Sequence, residues 1–514
     1  MEKTILTFDM GTQSMRASLV NDTGDILHSA RVQFEPAYFS LHTDWAEQNG
    51  EYYWESLCKV SQELKEKAGA DWQGIEGVTL TTFRDSDICL DKDGKPVRPA
   101  ILWLDKREAD IKAPIPLGRK ILFTIAGALK IITYVRRICH CNYIRQEEPE
   151  NWAKTDKFVI LSTYLNFNLT GEMKDSAASL VGHFPFDTKK LKWQDKTSLT
   201  YPLYPVEKEK QCGVVMSGEV IGRITKAASE LTGIPEGLPL IATGTDKTCE
   251  TLGLSVTTPD KAAVSFGTAA TINYTVDRYV EPVTFFPAYP SPEAGKWNDE
   301  LQIYRGYWLL NWFTREFAAK EVEEAEKLGV APEELMNRHL AEIPAGSDGL
   351  IFQPYFTDGI TMPNARGAFL GFSDRHTRYH AYRAVIEGIN YALMEGRDSL
   401  EKRTGAKAKE IYLAGGGSKS DEICQITADM FGVPCYRIQT SEATTLGASI
   451  VGFVGCGRFA SVAEGVKAMV HRKDEFLPDA KNHKLYETIY KNVYLKIFPK
   501  LEKLYKIDKE LTNR

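Results

Sequence analysis

The feature that most constrains this chain is a device that it contains twice. "TILTFDMGTQSMRASLVNDTGDIL" (4–27) and "KAAVSFGTAATINYTVD" (261–277) both run apolar strand, small polar turn, apolar strand, and both turns open with Gly-Thr. Ile5, Leu6 and Phe8, then Ala17, Leu19 and Val20, suit paired strands, and "NDTGD" supplies the following turn. The echo points to a duplicated architecture, two similar domains facing each other across a cleft. At 514 residues the chain is also too long for a single core.

The first turn has chemistry in it. Gly11 lets the backbone approach a partner closely, and the backbone N–H groups and side chains of Thr12, Gln13 and Ser14 would converge on one concavity. Converging donors suit an anion such as phosphate, and Asp9 beside them suits a hydrated magnesium ion. An ordinary hairpin with a polar turn is the plainer reading of this stretch by itself. Between the two hairpins, "GLPLIATGTD" reads as a turn, a buried strand and a loop at the strand's end. Acids at strand ends in α/β proteins often lie in the ligand cleft, which makes Asp246 the first candidate for catalysis. Its plainer reading is the N-cap of a helix over "KTCETLG".

Strand-like and helical segments alternate throughout, which indicates α/β architecture. Helices are expected over 52–69, 323–329 and 383–405; in the last, Val385, Ile386, Ile389, Leu393 and Leu400 mark one face and Gly405 the stop. The most apolar stretch, "ILFTIAGALKIITYV" (121–135), is shorter than a membrane span and contains Lys130, so a core helix is expected there. A formal net charge of −6 gives no reason to expect nucleic acid or a membrane surface as partner. The first residues lack a basic region followed by an apolar one, and nine cysteines without a C-x-x-C pair fit a reducing cytoplasm. "CHC" at 139–141 and the pair His376/His380 lack nearby partners for a metal site and read as ordinary residues.

Five separated blocks together resemble the FGGY carbohydrate kinases, from "FDMGTQS" to about residue 480. The most specific is "LAGGGSKSDEICQITADMFGVPCYRIQTSEATTLGASIVG" (413–452), where a triple glycine is followed by Q-x-x-A-D-x-x-G-x-P and E-A-x-x-L-G-A. "TTFRDSDICLDKDGKPVRPAILWLDKR" (81–107) is similar to the family's substrate segment, and "EEPENW…LSTYLNFNLTGEMKDSAAS" (147–179) to its helical stretch and "LTGE" turn. "SFGTAATI" (265–272) matches the second nucleotide-gripping hairpin, and "GTDKTCETLG" stands where the family places its catalytic aspartate.

The resemblance implies an α/β, duplicated, actin-like (ribonuclease H-like) two-domain ATPase fold with an interdomain nucleotide cleft. Residues 1–253 would form an N-terminal domain that binds the acceptor, phosphates and magnesium; residues 254–514 would form a C-terminal domain that binds adenosine and ends in a helical tail. The implied reaction is ATP-dependent phosphorylation of a sugar or polyol hydroxyl, with ATP and Mg2+ as cofactors and a small-molecule sugar or polyol as partner. Asp246 would be the base, and Asp9, through water, and Asp246 would hold magnesium. Gly11, Thr12, Gln13 and Ser14 would line the phosphates, Gly267 and Thr268 would grip them, and Gly415, Gly416 and Gly417 would pass close to adenosine. Ser420 stands where some relatives carry an asparagine near adenine. Arg16 would pair with an acid near the hairpin.

Arg84, Asp85, Trp103 and Asp105 fall on positions that contact or border the acceptor. "FRD" departs from the Met-His-Gly of the xylulokinase-like pattern. Lys247, directly after the expected base, stands where relatives often have a neutral amide; it could pair with Glu250 or Asp246, or, with Arg84, take an acidic sugar of the gluconate type. The segment "GRKILFTIAGALKIITYVRR" matches the family poorly, and dimers are frequent among relatives. A chaperone-like ATPase and a sugar sensor that does not catalyse are the rival readings. The acceptor-like "FRD…WLD" segment disfavours the first, and the presence of both Asp9 and Asp246 disfavours the second.

Overall fold

The computed structural model describes residues 2–357, 362 and 364–512. They form two compact units: Met1–Ser255 with Val283–Asn298 and Glu442–Val470, and Val256–Pro282 with Asp299–Ser441 and His471–Arg514.

The first unit is built on a six-stranded sheet in the order Val220–Arg223, Pro239–Ile241, Ile75–Thr82, Thr4–Met10, Ser14–Asn21, Ile26–Gln33. Thr4–Met10 pairs antiparallel with Ser14–Asn21, setting Asp9 opposite Arg16, and parallel with Ile75–Thr82, setting Asp9 beside Thr81. Alternation along the first strand decides what covers each face. Leu6, Phe8 and Met10 belong to one buried cluster with Tyr53, Leu57, Val60 and Leu64, the apolar stripe of helix Gly50–Ala68. Ile5 and Thr7 face the other way, against helix Ala443–Gly455. There the hydroxyl of Thr7 meets those of Thr79 (2.8 Å) and Ser449 (2.7 Å), so buried polar atoms satisfy one another.

Helix Ala443–Gly455 also crosses helix Asp246–Gly253 in almost direct backbone contact. A Cβ on Gly253 would lie 1.9 Å from the Ala443 carbonyl oxygen, and one on Gly447 would lie 1.9 Å from that of Cys249. Nothing larger than hydrogen fits at either position, because the opposing atoms are backbone and cannot rotate away.

The second unit repeats the device. Lys261–Phe266 and Ala270–Val276 form an antiparallel hairpin, and Glu410–Ala414 runs parallel beside the first of them; Cys435–Ile438 and Arg472–Phe476 continue the sheet. In both units, then, an antiparallel hairpin carries a parallel third strand on its first member. Helix Arg378–Thr404 is started by reciprocal hydrogen bonds between Thr377 and His380 and stopped by Gly405 at φ 77°. The other expected helices appear as Gly50–Ala68 and Ala319–Leu328.

One expectation fails. Residues 121–135 do not form a single core helix. Two short helices, Leu117–Ile125 and Leu129–Ile138, are separated at Gly127, whose φ of 67° breaks the run. Each buries one thin stripe, Phe123 and Ile132, while Ile121, Leu122 and Ile125 are exposed. Of the two histidine groups, His140 lies buried with Nδ1 donating to Asp87 Oδ2 (2.8 Å), and His380 serves as the helix-starting residue above. All nine cysteines are free thiols. Among the described residues, no helix is long and apolar enough to cross a membrane.

Two predictions follow from this packing. Gly447→Ala has no room for its methyl group and should destabilise the first unit by about 2–4 kcal/mol, read as a lower urea midpoint at unchanged slope; an unchanged midpoint would show that the helices are not in backbone contact. In the second unit Asp299 is fully buried, neither carboxylate oxygen has a hydrogen-bond partner among the described residues, and burial pushes its pKa up to about 7. Between the ordinary value of 3.8 and about 7 the folded protein keeps a proton that the unfolded chain releases, so this group's contribution to stability falls as pH rises through that window. Asp299→Asn should therefore show a smaller loss of stability from pH 4 to pH 8 than the wild type; equal slopes would contradict the assignment.

Candidate active site

The centre of the first unit's site is the start of helix Asp246–Gly253. Strand Pro239–Ile241 delivers the chain to a turn pinned at two points: the Thr81 hydroxyl donates to the Gly244 carbonyl (3.0 Å) and the Thr243 hydroxyl to that of Leu80 (2.6 Å). Thr245, not Asp246, is the N-cap, its side chain accepting from the Thr248 N–H. The simple capping role therefore passes to the neighbouring threonine. Asp246, one residue into the helix, keeps its carboxylate at the helix's positive end, where Oδ1 accepts from the Lys247 N–H (2.7 Å).

Asp9 stands at the end of the first strand, within the electrostatic reach of Asp246. Burial and then the Asp246 charge push the Asp9 pKa up to about 7, while Arg16 and Lys247 offset part of the rise. Burial also raises Asp246, opposed by Arg84 and Lys247. Two carboxylates of one sign share a poorly hydrated place, a combination that calls for a cation or a proton. Arg16 forms an ion pair with Glu442, an acid remote in sequence. Among the described residues no group of three or more His, Cys, Asp or Glu side chains is arranged to hold a metal ion. A divalent cation at Asp9 would complete its shell with water or with oxygens of a ligand, the usual habit of magnesium.

The turn between the first two strands is tight, the Gly11 N–H donating to the Ser14 carbonyl (3.0 Å). A Cβ on Gly11 would meet only the Ser14 oxygen, at an ordinary 3.7 Å, so no crowding within the protein demands glycine there. Thr12 accepts a hydrogen bond from Trp103 Nε1 (2.9 Å), which ties this turn to the segment 81–107. Ser14 Oγ accepts from Arg31 Nε (3.0 Å), and the Gln13 side chain is exposed.

The acceptor candidates divide. Arg84 lies over the Tyr289 ring (4.6 Å to its centre) and influences Asp246. Asp85, at φ 54°, binds His183 twice: Oδ1 accepts from its N–H (2.8 Å) and Oδ2 from Nδ1 (2.7 Å). Trp103 is partly exposed. Asp105 is different. Its side chain is 0% exposed, and its oxygens accept from the Ala46 N–H and from three N–H groups of Arg107, so it has no lone pair left for an acceptor molecule. It supports the loop from within. Lys247 is held by Glu250 (3.0 Å), the structural alternative of the two. Sequence reading missed His183 and Tyr289, which no local pattern marks.

In the second unit the hairpin turn at Gly267 and Thr268 is fixed by its carbonyls, which accept from the N–H groups of Tyr307 (3.0 Å) and Gly306 (2.8 Å). The three glycines after Ala414 have separate reasons. Gly415 has φ 81°, and a Cβ there would meet the Phe266 backbone at 2.6 Å; on Gly417 it would meet the Tyr307 ring at 2.3 Å. Gly416 has nothing within 4 Å, and Gly267 only the Ala269 oxygen at 3.3 Å. Ser420 caps helix Asp421–Phe431, accepting from the Ile423 N–H and donating to Glu422 (2.7 Å).

Comparison with known proteins gives this geometry its context. Residues 4–253 match the N-terminal domain model of the FGGY family of carbohydrate kinases, and residues 262–456 its C-terminal domain model. An uncharacterised sugar kinase of Escherichia coli (strain K12) is 27% identical over 497 residues, covering 96% of this chain and 93% of its own. The xylulose kinase of Lactococcus lactis is 27% identical over 504 residues, covering 95% and 96%. The crystal structure of ligand-bound xylulose kinase from Lactobacillus acidophilus has the same fold, with a TM-score of 0.83 at 22% identity over 98% of this chain and 99% of that one. The chain belongs to the FGGY family of carbohydrate kinases, which are phosphotransferases.

Proposed function

We propose that this kinase moves the γ-phosphate of ATP to a hydroxyl of a small sugar or polyol, with Asp246 as the general base. The observation that carries the proposal is the pair of poorly hydrated carboxylates, Asp9 and Asp246, at a strand end and a helix start of one unit. A raised pKa makes Asp246 a better proton acceptor than a surface carboxylate, provided that it is ionised when the acceptor arrives; Arg84 and Lys247 favour that form. The acceptor oxygen attacks phosphorus as Asp246 takes its proton, and the bond to ADP breaks.

The donor set at Asp9 fits magnesium in kind: one carboxylate with a second, Asp246, as its negative neighbour. When bound, the ion would neutralise developing phosphate charge. Asp9 would hold it through water, with Asp246 close by. Gly11 supports a phosphate-facing role, because a side chain there would project into space that the protein itself leaves open. Thr12, Gln13 and Ser14 would add donors, and Trp103, tied to Thr12, would couple this turn to the acceptor segment. In the second unit Gly267 and Thr268 would hold phosphate oxygens, and Gly416 would pass beside adenosine while Gly415 and Gly417 shape the turn. Ser420 would act on that site through its helix cap. Arg84 and Asp85, the latter through His183, would face the acceptor; Asp105 would position the loop. A xylulose-like ketose is within the range of acceptors, since a relative of matching length is a xylulose kinase.

The test is acceptor-dependent ADP release from Mg-ATP across polyols, ketoses, aldoses and sugar acids. Asp246→Asn should lower kcat by about 10³-fold with the best acceptor, while ATP affinity changes by less than about threefold. Full acceptor-dependent activity in the variant would remove Asp246 from the role of base. Slow ATP hydrolysis that no acceptor stimulates would favour a sensor.

A further inference from the structure

The apolar stretch that fails to form a core helix lies on the surface of the first unit with nothing covering its outer side. Helix Leu117–Ile125 turns Phe123 inward, into a small cluster with Ala128, Ile132 and Leu203 that is separate from the main core. At about 100° per residue, Leu117, Ile121, Leu122 and Ile125 fall within one arc on the opposite side of the helix. They are 74%, 51%, 54% and 80% exposed. Gly118 is the other residue of that arc, so the outer side carries no polar side chain. Exposed apolar residues scattered singly are ordinary, whereas a contiguous set on one helix face marks a place of contact.

The charge of this segment is as one-sided as its apolarity. Residues 111–146 include seven Lys or Arg and no Asp or Glu, in a chain whose net charge is −6. Two of the seven are neutralised from outside the stretch: Arg137 pairs with Glu108, and Arg145 with Glu207 (3.1 Å). Arg119 and Arg136 donate to carbonyls only, those of Lys196 (2.8 Å) and Ala113 (2.8 Å). Lys112, Lys120 and Lys130 are exposed, and among the described residues none of them pairs with a carboxylate. On the second helix, Leu129–Ile138, Lys130 stands opposite the buried Ile132, and Tyr134, 47% exposed, continues its outward row. Five positive charges without a counter-charge thus accompany the four exposed aliphatic side chains.

We propose that this helix pair is a membrane-surface anchor that lies on anionic phospholipid, with Leu117, Ile121, Leu122 and Ile125 entering the acyl boundary and Lys112, Lys120 and Lys130 meeting the headgroup phosphates. An aliphatic face accompanied by basic residues is the pattern of a helix that lies in the interface, and neither helix is long enough to cross a bilayer. A second copy fits worse, because a two-fold interface would set this face against itself and so oppose like charges. An acidic protein would answer the charge, but the outer side of Leu117–Ile125 offers it no hydrogen-bonding side chain, and hydrocarbon needs none. The negative charge of the remaining chain is repelled by the same surface, which keeps the attachment weak, reversible and sensitive to salt. The inference is independent of the phosphoryl transfer proposed above.

The experiment sediments the full chain with large unilamellar vesicles of phosphatidylcholine, either alone or with phosphatidylserine as about a third of the lipid. At about 0.1 M salt the chain should partition onto the anionic vesicles at least about tenfold more strongly than onto the neutral ones, and about 0.5 M salt should remove most of that preference. The double variant Ile121→Gln/Ile125→Gln should bind about tenfold more weakly, and Lys120→Glu/Lys130→Glu should lose the preference for anionic lipid. All four side chains are exposed, so urea midpoints should stay at the wild-type value; the lysine pair carries the test if the isoleucine pair does not fold. Leu504→Gln/Ile507→Gln, an exposed apolar pair on the C-terminal helix Leu495–Thr512, should bind as the wild type does. Failure to bind either kind of vesicle would overturn the inference, as would binding that neither the isoleucine nor the lysine pair changes. Equal binding to poly-glutamate, untouched by the isoleucine pair, would reduce the face to charge alone and overturn it too. A dimer that forms without lipid and that Ile121→Gln/Ile125→Gln dissociates would give the face to a second copy instead.

Discussion

The helix that begins with Asp246 can lie where it does only because two glycines, Gly253 and Gly447, allow it to touch the backbone of its neighbour. That contact fixes the helix axis. The strand Pro239–Ile241 and the threonine hydrogen bonds at residues 81 and 243 fix the point at which the helix starts. These two constraints hold the partly buried Asp246 at the helix start, where its Oδ1 accepts from the Lys247 N–H. Its neighbour Asp9 is placed just as firmly, by pairing with strands on both sides. The chain thus spends rigid, well-packed structure on keeping two negative charges in an unfavourable place, which is how binding and catalytic sites commonly depart from the most stable arrangement.

Two ion pairs border these carboxylates. Glu442 balances Arg16 on one side, and Glu250 holds Lys247 on the other. Farther out, Asp105, Arg107, Glu47 and Arg98 form a buried network in which the carboxylate of Asp105 is fully used. Such a network is poor at binding a ligand and good at fixing a loop, since breaking any member leaves a buried charge alone. Trp103, two residues before Asp105, is exposed, and its indole N–H donates to Thr12 (2.9 Å).

Much of this was legible in the sequence, and the failures share one cause. Both hairpins, the strand before Asp246 and the helix stop at Gly405 depend on contacts within a few residues, which periodicity and turn chemistry report. The three glycines at 415–417 were recognisable as a group, but only the packing separates the two needed by Phe266 and Tyr307 from the one left open. The pairing of Asp85 with His183 spans 98 residues, and no local pattern marks it. Asp105 looked like its neighbours in "WLDKR" until Arg107 was seen to close around it. The helix expected over 121–135 failed for a subtler reason. Apolar content was read as burial, whereas Gly127 divides the run and each half buries a single stripe.

The central claim is that the two carboxylates serve phosphoryl transfer to a sugar hydroxyl and not simple ATP hydrolysis. Phosphorus NMR on the full chain with Mg-ATP and a mixed set of sugar acceptors tests this directly, because it identifies the atom to which the phosphate becomes attached. The account predicts that the γ-phosphorus signal of ATP gives way to that of a phosphate monoester showing coupling to the protons of a sugar carbon. A spectrum in which only inorganic phosphate grows, at the same rate with and without the acceptors, would contradict it.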